Sequence, residues 1–341
     1  MPTATPLCLS FEGMLGTLSS QNVLLTSVGR RVALARFFKE VLGGRGYVFG
    51  ADCDPTAPGL YVVDKGFIVP RVTAEEYISS LLDICRRESV KLIVPLIDPE
   101  LPILAMAREF FLQEGILPLV STYDVVMIGY DKLLTAKFFS ENGIPTPKTA
   151  LFEKAADFLE DYDFPVIIKP RFGSASVGVC KCASPEEAKF YASRIPDPII
   201  QTCLSGEEIT IDVLCDFQGN PLSIVERKRL KVRAGEVERG ITIKDESLLK
   251  MVLDVVAKLK PLGVINLQCF STPEGFIFTE INARFGGGYP LSHFAGVNFP
   301  KTILEMVEGK KPEVSIFSYK EDFLMLRYDD AIYLGKEDLL S

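Results

Sequence analysis

Short apolar runs alternate with amphipathic stretches between residues 21 and 125. Strands are predicted in "NVLLTSVGRR", "GYVFGADCDP", "VKLIVPLIDPEL" and "ILPLVS". Helices are predicted between them, and one of these begins at a capping-box pair, Thr73 and Glu76. Because strands that alternate with helices build parallel sheets with helices on both faces, this region predicts an N-terminal α/β domain.

The pattern changes to an α+β arrangement over residues 126–325. Asp131 can cap a helix that ends at Asn142 and Gly143. The stretch "EEITIDVLCDFQGNPLSIVERKRLKV" alternates around "QGNP" and predicts an antiparallel hairpin, and "VINLQCF" and "GFIFTEI" predict a second one. The predicted boundaries are therefore an extension at 1–20, a parallel domain at 21–125, an α+β domain at 126–325 and a tail at 326–341.

Composition excludes several classes of protein. The net charge is −8, whereas a dedicated nucleic-acid binder is usually basic. No apolar run is long enough for a membrane span, and the N-terminus lacks the pattern of a secretion signal. The eight cysteines include no CxxC pair, so reduced thiols and a cytoplasmic location are expected.

The stretch "FTEINARFGGGYP" places polar side chains at the end of an apolar strand. Alternation directs Glu280, Asn282 and Arg284 to one face, and Gln268 on the preceding strand can face the same side. Oxygen ligands of this kind suit Mg²⁺ that completes its shell with substrate phosphates and water. The alternative is a solvated strand face, but the apolar neighbours indicate burial, where an unpaired carboxylate is costly.

A loop of small residues follows Lys169 at the end of another apolar strand. Its members are Gly173, Ser174, Ala175, Ser176 and Gly178. Such a loop exposes backbone N–H groups to phosphate oxygens, and a lysine at its base adds positive charge. A hairpin turn with an exposed lysine is the alternative, and the spacing leaves both open.

Three weaker signals complete the pattern. A hinge at "QTCLSGEE" can offer backbone groups to a planar base and a carboxylate to a ribose. The basic run "ERKRLKVRAGEVERG" can bind an anion, although a solvated strand and loop is the interpretation favoured for most of its members. The single histidine, His293, excludes a multi-histidine metal site and is more often structural than catalytic.

Taken in order, these motifs resemble the ATP-grasp superfamily, and most of all its carbamoyl-phosphate synthase large-subunit branch. The resemblance covers about residues 23–309 and is most specific at the E-x-N-x-R strand end with its upstream Gln268. It implies a pre-ATP-grasp domain followed by a two-lobed ATP-grasp fold, with a mobile lid at about residues 164–203.

The resemblance also implies roles for individual residues. Lys132 and Lys169 would contact the nucleotide phosphates, residues 173–178 would form the lid loop, and Arg284 would stabilise the transferring phosphoryl group. The hinge that holds adenine would consist of Gln201, Thr202, Cys203 and Leu204, with Glu208 on the ribose. Gln268, Glu280 and Asn282 would bind Mg²⁺ or Mn²⁺. The hinge departs from the family in starting with glutamine where glutamate is frequent.

The implied activity is an ATP-dependent ligation of a carboxylate to an amine or similar nucleophile through an acyl phosphate. One alternative is a half-enzyme of a carbamoyl-phosphate-synthase-like complex that phosphorylates carbamate or a carboxylate. Another is a non-catalytic nucleotide-binding protein. The expected partners are small-molecule substrates rather than nucleic acid or membrane, and a homodimer is the default assembly.

Overall fold

The computed structural model of this chain describes residues 21–155, 159, 162–174, 177–233 and 235–341. The predicted extension at residues 1–20 lies outside the described residues. The described part contains a five-stranded, a six-stranded and a four-stranded sheet. This is the predicted succession of a parallel α/β domain and a two-lobed α+β domain.

The first sheet is parallel and has the strand order β3-β2-β1-β4-β5. Its strands are β1 (Asn22–Thr26), β2 (Val48–Asp52), β3 (Lys65–Ile68), β4 (Val90–Pro95) and β5 (Leu117–Pro118). The helices of this domain are α1 (Val32–Leu42), α2 (Tyr77–Arg87), α3 (Leu101–Met106) and α4 (Arg108–Gln113). The predicted start of α2 at Thr73 is wrong, because the residues before Tyr77 form hydrogen-bonded turns and Glu76 makes no side-chain cap.

The order of the strands brings two loops together at one edge of this sheet. The chain runs from β1 outward to β2 and β3 and then returns to β4 on the other side of β1. The loop after β1 leads into Arg31, and Asp98 follows β4. Crevices at such reversal points are where open α/β sheets bind ligands.

The second sheet is antiparallel and has the order β14-β13-β10-β11-β12-β15. Its strands are β10 (Glu207–Cys215), β11 (Pro221–Arg233), β12 (Glu236–Ile243), β13 (Gly263–Thr272), β14 (Gly275–Asn282) and β15 (Leu324–Leu326). The helices beside it are α5 (Tyr123–Tyr130), α6 (Lys132–Glu141), α9 (Glu246–Leu259), α10 (Tyr289–Phe294) and α11 (Phe299–Val307). Both predicted hairpins are present, and the side chain of Asp131 caps α6 as predicted.

The third sheet is small and has the order β6-β9-β7-β8. It consists of β6 (Thr149–Leu151), β7 (Val166–Pro170), β8 (Cys180–Cys182) and β9 (Pro198–Thr202), with α7 (Phe152–Ala155) and α8 (Pro185–Ala192). The sheet begins before the predicted lid range of 164–203, because the three-residue β6 pairs with β9. So short a strand has too little alternation to be recognised in the sequence.

The hydrophobic cores divide the molecule differently from the sheets. Two clusters each contain residues of both the parallel sheet and the six-stranded sheet, for instance Leu24 with Ile211 and Leu25 with Leu214. A separate cluster that includes Ile168 and Ile200 lies under the small sheet. The parallel domain and the large sheet therefore share their cores, while the small sheet has its own.

Among the described residues, no helix combines the length and the apolar character that a membrane span requires.

Candidate active site

A cavity of about 520 Å³ lies between the small sheet, the large sheet and the carboxyl edge of the parallel sheet. The predicted site residues in its lining are Lys132, Lys169, Gly173, Ser174, Gln201, Glu208, Gln268, Glu280, Asn282 and Arg284. Four others, Thr202, Cys203, Leu204 and Gly178, lie outside the lining. Ala175 and Ser176 lie outside the described residues.

The β13–β14 hairpin brings the predicted metal ligands together. Gln268 lies opposite Glu280, and Asn282 lies opposite Asn266. The register shifts just after Gln268, so that Thr279 is an extra residue on β14. Because such a bulge interrupts alternation, Thr279 and Glu280 both reach the cavity, although they are consecutive.

These three side chains fit a hard cation. Within the described part of the chain, the Glu280 carboxylate accepts no hydrogen bond and forms no ion pair, although it faces the cavity. No three His, Cys, Asp or Glu side chains of the described residues cluster as a metal site. One carboxylate with the amide oxygens of Gln268 and Asn282 suits Mg²⁺, which keeps waters and takes further ligands from phosphates.

Lys169 is buried at the end of β7, where only 5% of its surface is exposed. Its Nζ donates to Oε1 of Gln201 at 2.8 Å, and Gln201 Nε2 donates to Oγ1 of Thr149 at 2.8 Å. Burial lowers the pKa of Lys169, while the charge of Glu280 opposes that shift. The structure thus places Gln201 beside the ammonium group that it holds in position.

Lys132 starts α6 and reaches across to the loop after β7. Its Nζ donates to the carbonyl oxygen of Gly173 at 2.6 Å. One residue earlier, Asp131 accepts from Arg171 Nε at 2.8 Å and from Nη2 at 2.5 Å. These contacts tie the small sheet to α6, which lies beside the large sheet, and Lys132 and Lys169 both line the cavity.

At the opposite wall, Glu208 is ion-paired with Arg229 of β11. Burial raises the pKa of Glu208, and Arg229 opposes that shift. Arg229 Nη2 also donates to the carbonyl oxygen of Gly235 at 2.9 Å. The carboxylate of Glu208, for which the resemblance predicts a ribose contact, is thus held in place by a guanidinium group.

Arg284 follows β14 and contacts the parallel domain. Its Nη2 donates to Oδ2 of Asp98 at 2.5 Å, and its Nη1 donates to the carbonyl oxygen of Phe285 at 2.9 Å. Asp98 is itself buried. Asp98 could not be singled out from the sequence, because nothing in "LIDPEL" indicates that its partner lies 186 positions away.

The glycines after Arg284 are needed because side chains approach them closely. A Cβ on Gly286 would lie 2.7 Å from Nδ2 of Asn266, and one on Gly287 would lie 2.7 Å from Nη1 of Arg31. A Cβ on Gly288 would overlap the guanidinium group of Arg227. A left-handed backbone does not explain these glycines, because none of the three has a positive φ, and that of Gly288 is −92°.

The basic run on β11 is divided between the cavity and the surface. Arg227 is 1% exposed and donates to Asp212 through Nε at 2.9 Å and Nη2 at 3.0 Å. Asp212 also accepts from Ser292 Oγ at 2.6 Å and from Asn266 Nδ2 at 2.7 Å. Arg227 and Arg229 are thus exceptions to the solvated strand that was favoured for most members of the run, because alternate residues of β11 face the cavity.

His293 lies outside the cavity lining. Its ring stacks on Phe37 of α1 with the ring centroids 3.7 Å apart. Burial lowers the pKa of His293. Its position between α10 and α1 agrees with the structural role that the sequence favoured.

Two family models match the chain. Residues 23–119 match the PylC-like N-terminal domain, and residues 194–328 match the ATP-grasp domain of a biosynthetic pathway with the Ter operon. The carbamoyl-phosphate synthase of Methanobrevibacter smithii is 28% identical over 304 residues, which are 82% of this chain and 78% of that protein. The 3-methyl-D-ornithine–L-lysine ligase of Methanosarcina mazei is 23% identical over 66% of this chain and 58% of that protein.

A solved structure supports the fold. The biotin carboxylase domain of the Hydrogenobacter thermophilus 2-oxoglutarate carboxylase, a dimer with MgADP and bicarbonate, superposes with a TM-score of 0.70. It is 16% identical and is matched over 86% of this chain and 71% of that chain. At this identity the likeness concerns the fold, and it confirms the predicted fold class.

Proposed function

We propose that this chain, which carries an ATP-grasp domain and is homologous to carbamoyl-phosphate synthase and other ATP-grasp ligases, joins a carboxylate to an amine at the expense of ATP. The observation that carries the proposal is the single cavity lined by Lys132, Lys169, Glu280, Asn282 and Arg284. It combines cationic groups for a triphosphate with oxygen ligands for a cation.

ATP and Mg²⁺ are the small molecules that this site fits. Glu280, Asn282 and Gln268 would hold Mg²⁺, and the unpaired carboxylate of Glu280 supports this assignment. Bound Mg²⁺ would neutralise charge on the phosphates. Lys169 is held by Gln201 and Lys132 by the carbonyl oxygen of Gly173, so both ammonium groups are oriented before nucleotide arrives.

Arg284 would stabilise the phosphoryl group in transfer, and its contacts support this role. Its guanidinium follows the metal-ligand strand directly and is oriented by Asp98 and by the carbonyl oxygen of Phe285. A fixed positive charge near the transferred group lowers the barrier because it needs no reorganisation during the reaction. No general base is required for this first step, since a carboxylate is already ionised at neutral pH.

The proposed reaction has two steps. A carboxylate oxygen of the acid forms a bond to the γ-phosphorus of ATP as the bond to the β-phosphate oxygen breaks, which yields an acyl phosphate and ADP. An amine then forms a bond to the acyl carbon as the carbon–oxygen bond to phosphate breaks, and the amine loses a proton. The products are an amide, ADP and phosphate.

Two other functions remain to be separated from this one. The match to carbamoyl-phosphate synthase over 82% of the chain favours a carbamate- or carboxylate-phosphorylating half-enzyme as the second candidate. The ligase from Methanosarcina mazei favours the carboxylate–amine reaction. A non-catalytic nucleotide-binding protein would have no need for a cavity carboxylate that, among the described residues, forms no ion pair, as is the case for Glu280. Cytoplasmic location and a homodimer stay predictions.

The direct test is a screen for phosphate release. Purified protein would be incubated with MgATP and pools of amino acids and carboxylic acids, and the products identified by mass spectrometry. The ligase function requires ADP and an amide in pools that contain both an acid and an amine. ADP formed with a phosphorylated product alone would indicate the half-enzyme, and release of AMP would contradict the acyl-phosphate route.

A further inference from the structure

The loop that follows β1 is held by hydrogen bonds to neighbouring segments of the parallel domain. The amide of Gly29 donates to Oδ2 of Asp52 at 2.8 Å, and the carbonyl oxygen of Gly29 accepts from the amide of Gly59 at 2.8 Å. A Cβ on Gly59 would lie 2.5 Å from Cγ2 of Val28, so the two segments are in direct contact. Arg31, at the end of this loop, therefore starts from a rigid support.

Arg31 extends from the parallel domain into the cavity of the ATP-grasp domain. Its Nη1 lies 3.1 Å from Oε1 of Glu236 on β12. Glu236 also accepts from Nη1 of Arg327 at 2.8 Å, and Arg327 Nη2 donates to the carbonyl oxygen of Gly287 at 2.6 Å. The carboxylate of Glu236 thus pairs with two guanidinium groups. Of these two, Arg31 lines the cavity and Arg327 does not.

The other arginines of the lining each have a carboxylate of their own. Arg227 pairs with Asp212, Arg229 with Glu208 and Arg284 with Asp98. Arg31 differs from them because its ion-pair partner, Glu236, also pairs with Arg327. Burial lowers the pKa of Arg31, Glu236 and Asp98 oppose that shift, and the neighbouring Arg284 and Arg327 add to it. Such an environment favours an additional anion.

The position of Arg31 agrees with the general rule for open α/β sheets. It follows β1 at the point where the strand order reverses, beside Asp98 after β4. Gly287 lies against its guanidinium group and has no side chain that would fill the space. A planar carboxylate can be bound by a guanidinium group through two parallel hydrogen bonds.

We propose that Arg31 is a specificity-determining residue that binds a carboxylate of the substrate other than ATP. The inference rests on the proposed function and deepens it, because it makes the substrate anionic and places it against the parallel domain. Two sources supply this chemistry: the carboxylate that is phosphorylated, with bicarbonate as its smallest form, or the α-carboxylate of an amino acid that provides the amine. A purely structural clamp between Arg31, Glu236 and Arg327 is the competing explanation.

Calorimetric titration of the MgADP-bound protein tests this inference. The probes are bicarbonate, the standard L-amino acids and the α-amide of each amino acid that binds. The variants are Arg31→Gln, Arg31→Lys and, as a matched control, Arg36→Gln, since Arg36 is an exposed arginine on helix α1, which begins directly after Arg31. ADP affinity, measured for each variant, reports whether the fold and the nucleotide site are intact.

We expect Arg31→Gln to weaken binding of the acid about tenfold or more, the size of a lost charge-assisted pair, with ADP affinity unchanged. Arg31→Lys should recover part of the loss, and Arg36→Gln should match the parent protein. If bicarbonate binds and the amino acids do not, Arg31 binds the carboxylate that is phosphorylated. Binding of an amino acid that is at least about tenfold tighter than that of its α-amide identifies the α-carboxylate.

Three results would overturn the subsite. The first is that an amino acid and its α-amide bind equally well while bicarbonate does not bind. The second is that Arg31→Gln leaves the affinity for the acid unchanged. The third is that no acid binds to the parent protein. Failure of the proposed function looks different, because it appears as absent ADP binding or as absent ATP-dependent ADP release. A protein that binds acid through Arg31 but releases no ADP would keep the subsite and lose the ligase.

Discussion

At the scale of single residues, the charged side chains of the cavity differ in whether they form ion pairs. Arg227, Arg229 and Arg284 each pair with a carboxylate, whereas the carboxylate of Glu280 forms no ion pair with any described residue. Removing one member of a buried ion pair leaves the other charge uncompensated and destabilises the protein. Changing Glu280 should instead affect the binding of a cation and leave the fold intact.

Replacing Glu280 with glutamine is the first test at this scale. We expect turnover to fall by at least about 100-fold, since loss of a transition-state charge contact costs this much, while the melting temperature stays within a few degrees. Glu274→Gln, at the exposed turn of the same hairpin, is the matched control. Turnover near that of the control would remove Glu280 from the metal site.

Glu100 provides a second test, which concerns stability and pH. Its side chain is fully buried, and one oxygen accepts from the Tyr77 hydroxyl at 2.5 Å. Burial raises the pKa of Glu100 to about 7 from 4.5. Because the folded state then binds more protons than the unfolded state between these values, the contribution of Glu100 to stability falls as the pH rises through this range and is constant above it.

Glutamine cannot ionise, so the Glu100→Gln variant lacks this pH-dependent loss of stability. Its free energy of unfolding relative to that of the parent should therefore be higher at pH 8 than at pH 5. The expected change in the free energy of unfolding between the two pH values is about 1–3 kcal/mol, at roughly 1.4 kcal/mol per pKa unit. Urea denaturation at both pH values measures it, with the exposed Glu109→Gln as control. A difference between variant and parent that does not depend on pH would contradict the buried, proton-linked state of Glu100.

At the scale of elements, the small sheet stands apart from the rest. It has its own core, which includes Val166 and Ile200, while the parallel and six-stranded sheets share theirs. Its polar links to the large sheet include the pairs Arg171–Asp131 and Lys132–Gly173. Elements with few shared apolar contacts open at lower free energy than the global core.

Hydrogen exchange tests this separation. We expect amides of β9 to exchange faster than those of β1, and to slow when MgATP binds, because nucleotide would connect Lys169 of the small sheet to Lys132 and Glu280 on the side of the large sheet. The amides of β1 act as the internal control and should not respond to nucleotide. Equal exchange in β1 and β9, or no response of β9, would contradict a separately moving small sheet.

The elements also show what the sequence could and could not predict. The hairpin around "QGNP" and the cap at Asp131 depend on neighbouring residues, so their local signals were sufficient. The bulge at Thr279 and the inward arginines of β11 depend on the partner strand and on which face is covered. Residue types in the chain carry no information on such register until the sheet is assembled.

At the scale of the whole molecule, the cavity is a product of both domains. The parallel domain contributes Arg31 and Asp98, which pair with Glu236 and Arg284 of the ATP-grasp domain. These partners are 205 and 186 positions apart in the sequence. The residues that we propose to bind nucleotide lie in short motifs that the sequence shows, whereas the contribution of Arg31 and Asp98 to the cavity depends on the packing of the two domains.

The transfer of oxygen from the acid to phosphate tests the central claim most directly. The acid that supports ADP release would be labelled with ¹⁸O in its carboxylate and incubated with the amine and MgATP, and the released phosphate analysed by mass spectrometry. An acyl phosphate must pass one labelled oxygen from the acid to the phosphate in each turnover. Unlabelled phosphate with a normal yield of amide would contradict the mechanism.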